Sequence, residues 1–142
     1  MNPLQIVLDT NVIYAALRSK RGASYRLLSL LDSNKFQINL SVPLVIEYED
    51  VLKRKIDSLT FTDRRIDQFL DYLCIVGNWH EVYFLWRPIL KDPEDDMILE
   101  LAVRAGCEYI ITYNKSDFRG VDKFGIQLAT AKEFLQTINE LP

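Results

Sequence analysis

Leu4-Gln5-Ile6-Val7-Leu8-Asp9-Thr10-Asn11 is the stretch on which the reading of this chain turns. The apolar run Ile6 to Leu8 meets an acid and then polar residues, and Val12, Ile13, Ala16 and Leu17 follow at helical spacing. That change of period predicts a buried strand ending at Asp9 and turning directly into a helix. In open α/β sheets ligands sit beyond the carboxyl ends of the strands, where Asp9 would lie. Alone, the pattern more often means an Asp9 or Asn11 that merely caps the helix. Three further acidic stretches at similar places weigh against that plainer reading.

Outward from this stretch, strands and helices alternate. Lys20-Arg21-Gly22 makes a turn, a second helix covers 23–31 with Leu27, Leu28, Leu30 and Leu31, and Phe36, Ile38 and Leu40 alternate in a strand over 36–40. Ser41 caps a third helix, with Pro43 in its first turn and Leu44, Val45, Tyr48, Val51 and Leu52 on one face. Thr62 caps a fourth, striped by Ile66, Phe69, Leu70, Leu73 and Cys74, and the aromatic stretch after it holds a short strand over 82–85. Asp92-Pro93 opens a helix that runs through Ala105 and ends at Gly106. A strand over 109–112, a helical turn over 114–118, a strand over 125–128 and a helix over 129–138 complete the chain. Such alternation implies a parallel sheet covered on both faces.

The 142 residues suit one domain, 1–142, and 49% hydrophobic with 26% charged residues excludes wholesale disorder. No apolar run approaches the roughly 20 residues of a membrane span, and Met1-Asn2-Pro3 leaves no room for a signal peptide, so a cytoplasmic protein with no membrane partner is expected. Cys74 and Cys107 read as buried free thiols. With His80 the single histidine, a Cys/His zinc site is excluded, and any metal would be held by oxygen. The net charge of -3 argues against a general nucleic-acid binder. Basic residues nevertheless cluster at Arg18, Lys20 and Arg21, at Lys53, Arg54 and Lys55, and at Arg64 and Arg65. Each cluster suits a solvated helix end, yet basic patches around an acidic, metal-filled centre can also bind phosphates.

Oxygen ligands fall near element ends in four places: Asp9; Glu47 or Glu49; Asp92, Asp95 and Asp96; and Asn114 with Asp117. Crowded carboxylates raise each other's pKa values, and a fold tolerates them mainly where a divalent cation neutralises them. Mg²⁺ or Mn²⁺ is the expected guest, able to activate a bound water and to stabilise charge on a phosphate. At about 100° per residue, Met97, Ile98, Leu101, Ala102 and Ala105 form one stripe of the fifth helix. Asp95 lies at its edge and leans toward Asp9, Asp96 lies opposite and points into solvent, and Asp92 caps the helix.

Four motifs in order resemble the PIN-domain family, metal-dependent ribonucleases that include the toxins of VapBC-type toxin–antitoxin pairs. They are Asp9-Thr10-Asn11 after a strand, Glu47-Tyr48-Glu49-Asp50-Val51-Leu52, Asp92-Pro93-Glu94-Asp95 before an apolar helix, and Thr112-Tyr113-Asn114-Lys115-Ser116-Asp117-Phe118. The resemblance implies a three-layer α/β/α sandwich on four or five parallel strands, with the acids meeting at one end. It implies an endoribonuclease in which Asp9, Glu47, Asp95 and Asp117 hold Mg²⁺ or Mn²⁺, directly or through water. Asn11, Asp92, Thr112 and Asn114 would orient ligands, while Arg18, Lys20 and Arg21 would contact the RNA backbone. Asn114 stands where many relatives with Asp-Pro-x-Asp carry an Asp, so one metal is expected rather than two. RNA, an antitoxin protein and a second copy of the chain are the expected partners. Two rivals stand beside this reading. A haloacid-dehalogenase-type phosphatase wants an acid at Asn11, and a non-catalytic RNA-binding or interaction domain has no need of four acids.

Overall fold

The computed structural model describes residues 2–82 and 89–141, so the strand expected over 82–85 falls, apart from Val82, outside them. Five parallel strands form one sheet in the order β3-β2-β1-β4-β5: β1 (Leu4–Leu8), β2 (Phe36–Leu40), β3 (Asn78–Trp79), β4 (Tyr109–Ile111) and β5 (Gln127–Ala129). The helices are α1 (Thr10–Arg18), α2 (Ala23–Leu28), α3 (Val42–Arg54), α4 (Asp63–Val76), α5 (Pro93–Arg104) and α6 (Ala131–Thr137). They flank the sheet in the expected three-layer sandwich; α5 packs on β1, β2 and β4, α4 on β2, and α6 on β5. Ile6, Val7, Leu8, Ile38, Leu40, Ile110 and Ile111 are all buried. Central strands covered on both faces read as continuous apolar runs for this reason.

Local chemistry sets the helix starts. Ser41 Oγ accepts from the Leu44 N–H at 3.3 Å, and Thr62 Oγ1 accepts from the Arg65 N–H at 3.3 Å. The strand at Asn78–Trp79 was not expected, β5 lies at Gln127–Ala129 rather than 125–128, β4 and α5 each end one residue early, and two further boundary shifts have a local cause. Helix α2 stops at Leu28, because the Ser29 hydroxyl donates to the Arg26 carbonyl at 2.6 Å and competes with continued helix. Helix α6 begins at Ala131, where Thr130 and Glu133 form a reciprocal capping box, so Ala129 belongs to β5. Gly106 ends α5 at φ 64°, a conformation that favours glycine. Gly77 joins α4 to β3 where a Cβ would overlap the Leu40 side chain. Both cysteines are free; Cys107 is buried as expected, but Cys74 is only half-buried. Among the described residues no helix is long and apolar enough to cross a membrane.

Candidate functional site

Parallel pairing sets Leu8 opposite Ile111, so the next residues, Asp9 and Thr112, leave the sheet side by side. The Asp9 N–H donates to the Ile111 carbonyl at 2.9 Å, and the Thr112 N–H donates to the Ala129 carbonyl at 2.9 Å. Both Asp9 oxygens are held: Oδ1 accepts from the Thr10 N–H at 2.8 Å, and Oδ2 from the Thr112 hydroxyl at 2.7 Å. The Tyr48 hydroxyl, buried beneath, donates to the Leu8 carbonyl. Asp9 is therefore both the cap of α1 and a carboxylate fixed at the sheet's carboxyl edge, only 8% exposed. Thr112 Oγ1 in turn accepts from the Asn114 N–H at 3.0 Å, and Asn11 Oδ1 accepts from the Tyr113 N–H at 3.3 Å. Three residues expected to support the site thus tie α1 to the segment after β4, with Asn114 contributing its backbone.

The start of α5 brings the next acids. Asp92 caps the helix, its Oδ1 accepting from the Glu94 N–H at 2.8 Å. Asp95 follows, half-buried. Asp117 lies exposed on a short 3-10 turn, Lys115–Phe118, which is pinned by the buried Phe118. Asp92, Asp95 and Asp117 line one hollow of about 530 Å³, together with Ser116, Lys91 and Arg119.

Electrostatics show which acids feel one another. Burial pushes the Asp9 carboxyl above its ordinary value; the hydrogen bonds from Thr112 and Thr10 oppose this, and repulsion from Asp117 and Asp92 adds to it. Asp95 is pushed up to about 7, first by burial and then by Asp9, Asp92, Asp117 and Glu94. Asp9 and Asp95 thus repel one another, and both carboxyls lie above their ordinary values. Glu47, on α3, is also raised to about 7, by burial, by a close contact with Glu94 and by Asp50, against a small opposing pull from Arg54. Glu94 therefore couples both to Glu47 and to Asp95. Glu94 is a spacer in the Asp-Pro-x-Asp pattern and so goes unmarked by the motif; its signal in the sequence is a first-turn acid beside Asp95.

Glu49 does not join this group, since it pairs with Lys53 at 3.2 Å. Asp96 departs from expectation. Its Oδ1 accepts from the Ile89 and Leu90 N–H groups at 3.1 and 2.8 Å. Residues 89 and 90 are thus held against the start of α5, and Asp96 is half-buried and engaged by backbone rather than pointing into water. Leu99 and Glu100, off the stripe, are buried as well. Of the expected RNA contacts, Arg18 lines a separate hollow with Tyr14, Ser24 and Tyr113. It lies nine residues along α1 from Asp9, about 13 Å at the helical rise. Lys20 and Arg21 are exposed in the turn beyond.

Among the described residues, no three His, Cys, Asp or Glu side chains converge closely enough to hold a metal ion. The chemistry of the donors nonetheless fits a hard divalent cation, being all oxygen, like-charged and partly desolvated.

A sequence model of the PIN domain matches residues 5–116 of this chain. Among curated proteins no sequence matches it. Among solved structures, the crystal structure of VapBC2 from Rickettsia felis bound to a DNA fragment from its promoter is similar in fold. The TM-score is 0.61 at 15% identity, covering 89% of this chain and 98% of that one.

Proposed function

The chain belongs to the PIN-domain family, and on that premise we propose that it is a Mg²⁺- or Mn²⁺-dependent endoribonuclease. The observation that carries the reading is the group of mutually repelling carboxyls at the sheet's carboxyl edge, with Asp95 raised to about 7. Such an arrangement disfavours its own ionised state, and a divalent cation relieves it. Asp9, Asp95 and Asp117 would hold the ion, and Glu47 would act through water. When bound, the ion lowers the pKa of a water and takes up charge on the phosphate. Thr112 and the Thr10 N–H keep the Asp9 carboxylate in one orientation. Glu47, raised to about 7 beside Glu94 in the metal-free protein, would take a proton from an attacking water. Hydrolysis joins the water oxygen to phosphorus and releases O3′ with a proton, leaving a 5′-phosphate and a 3′-hydroxyl.

The similar Rickettsia structure is of a VapBC pair on promoter DNA. For this chain we propose the toxin role, an antitoxin partner, a homodimer and a cytoplasmic location. Arg18, Lys20 and Arg21 remain contacts for more distant parts of the RNA.

A second reading, a non-catalytic RNA-binding or interaction domain, draws on the lack of a converged acid triad among the described residues. One experiment separates the two. Purified protein is expected to cut single-stranded RNA in Mg²⁺ or Mn²⁺ and to stop in EDTA. RNA that is bound but left intact by folded, metal-supplied protein establishes the second reading instead.

A further inference from the structure

Carboxylates that gather a cation also repel RNA, a polyanion, so the site needs positive charge close to the acids. The hollow that holds Asp92, Asp95 and Asp117 is also walled by two cations, Lys91 and Arg119. We propose that Arg119 and Lys91 grip the RNA backbone phosphates on either side of the acids, an inference that rests on the ribonuclease reading above.

Each cation hangs from a fixed piece of backbone. Arg119 directly follows the 3-10 turn that carries Asp117, and its neighbour Phe118 is fully buried. The Asp117 N–H donates to the Asn114 carbonyl at 3.0 Å, which closes that turn. Lys91 lies between Leu90, whose N–H is held by Asp96 at 2.8 Å, and Asp92, the cap of α5. The Asp96 clamp thereby sets where Lys91 starts. Asp96 is a positioning residue in this scheme.

Among the described residues, neither Lys91 nor Arg119 forms an ion pair. By contrast Arg26 and Lys35 pair with Glu140, Lys53 with Glu49 and Asp67, Arg54 with Asp50, and Lys115 with Glu133. A guanidinium presents two parallel N–H groups to a phosphate, and an ammonium serves as a mobile point charge. Arg119 therefore sets orientation, and Lys91 adds attraction.

The test uses a fluorescently labelled single-stranded RNA with wild type, Arg119→Ala, Lys91→Ala, the double variant and Arg119→Lys. Lys132→Ala, exposed on α6, controls for lost net charge. Binding is read by anisotropy in EDTA across a salt series, and cleavage kinetics are read in Mg²⁺. Each single alanine is expected to weaken binding about 3- to 10-fold and to lower the slope of log Kd against log salt by about 0.7. KM should rise while kcat stays within about threefold, because the interaction is made in ground and transition states alike. Arg119→Lys should regain the salt slope but only part of the affinity. A double variant that matches Lys132→Ala in Kd, salt slope and KM, while wild type still cuts RNA, overturns this inference alone. A wild-type protein that neither binds nor cuts RNA in Mg²⁺ overturns the ribonuclease reading and this inference with it.

Discussion

Across β1, β2 and β3 the side chains of Gln5, Gln37, Asn39 and Asn78 form a neutral amide cluster, whereas the end of β1, the start of α5 and the 3-10 turn after β4 carry Asp9, Asp95 and Asp117. In the amide cluster Gln5 Nε2 donates to Gln37 Oε1 at 2.8 Å, and Asn78 Nδ2 donates to the same oxygen at 3.0 Å. Asn39, buried, donates to Gln5 Oε1 at 3.0 Å and to the Ile6 carbonyl at 3.1 Å, and its own oxygen meets His80 Nε2 at 2.8 Å. Amides both donate and accept, so the cluster closes on itself and ties three strands in register. Ionised carboxylates only accept. Asp9 finds donors in Thr10 and Thr112, but the acids cannot satisfy one another without a proton or a cation. One polar cluster is complete within the fold; the other is left in need of a proton or a cation.

Removing an acid should break this contrast most strongly. Asp95→Asn is expected to lower metal-dependent cleavage by at least about 100-fold, near 3 kcal/mol of barrier. Thermal stability of the metal-free variant should equal or exceed that of wild type, since a like charge is gone. A variant that melts far below wild type would place Asp95 with the amides, as a structural residue.

The converse substitution is Asn39→Ala. It takes the Asn39 partner from His80 Nε2 while Gln5 Oε1 keeps its bond from Asn78, and in this half-buried cluster it should cost about 1–2 kcal/mol in urea unfolding. Cleavage per folded molecule should be unchanged. Lost activity at full folding would show that the amide cluster serves the chemistry.

Changing pH sharpens the comparison without mutation. Asp95 and Glu47 are raised to about 7, so between about 4 and 7 the folded state holds protons that the unfolded chain has released. Their contribution to stability is thus present at low pH and lost as pH rises through 7. The melting temperature of metal-free wild type, relative to an Asp95→Asn, Glu47→Gln double variant, should fall over this window, and Mg²⁺ should restore it at the alkaline end. A difference that stays flat across the window would mean that the acids do not repel one another as described.

Asp96→Asn should have the smallest effect. The amide keeps an Oδ1 able to accept from Ile89 and Leu90, so cleavage should stay within a few-fold of wild type. A loss matching that of Asp95→Asn would move the site to the other face of α5.

Strands β1 and β2, the caps Ser41, Thr62 and Asp92, and the stop at Gly106 could be read from the sequence, because each depends on neighbours a few residues away. The family followed from four short motifs in order, which need no knowledge of contacts. Helix α6 was within reach too, since Thr130 and Glu133 announce a capping box. Other features depend on distant partners. Glu94 reaches Glu47 from a different helix, Asp96 holds backbone that arrives from outside α5, and Asn39 meets Gln5 and Asn78 across strands. A helical wheel records directions around one axis and cannot show what covers them. Sequence therefore determined the alternation of strands and helices and offered the candidate acids, through local propensity, hydrophobic period and short motifs. Tertiary structure alone decided which acids repel, which polar groups close on themselves and which cations face the hollow, because those depend on distance through space and on exclusion of water.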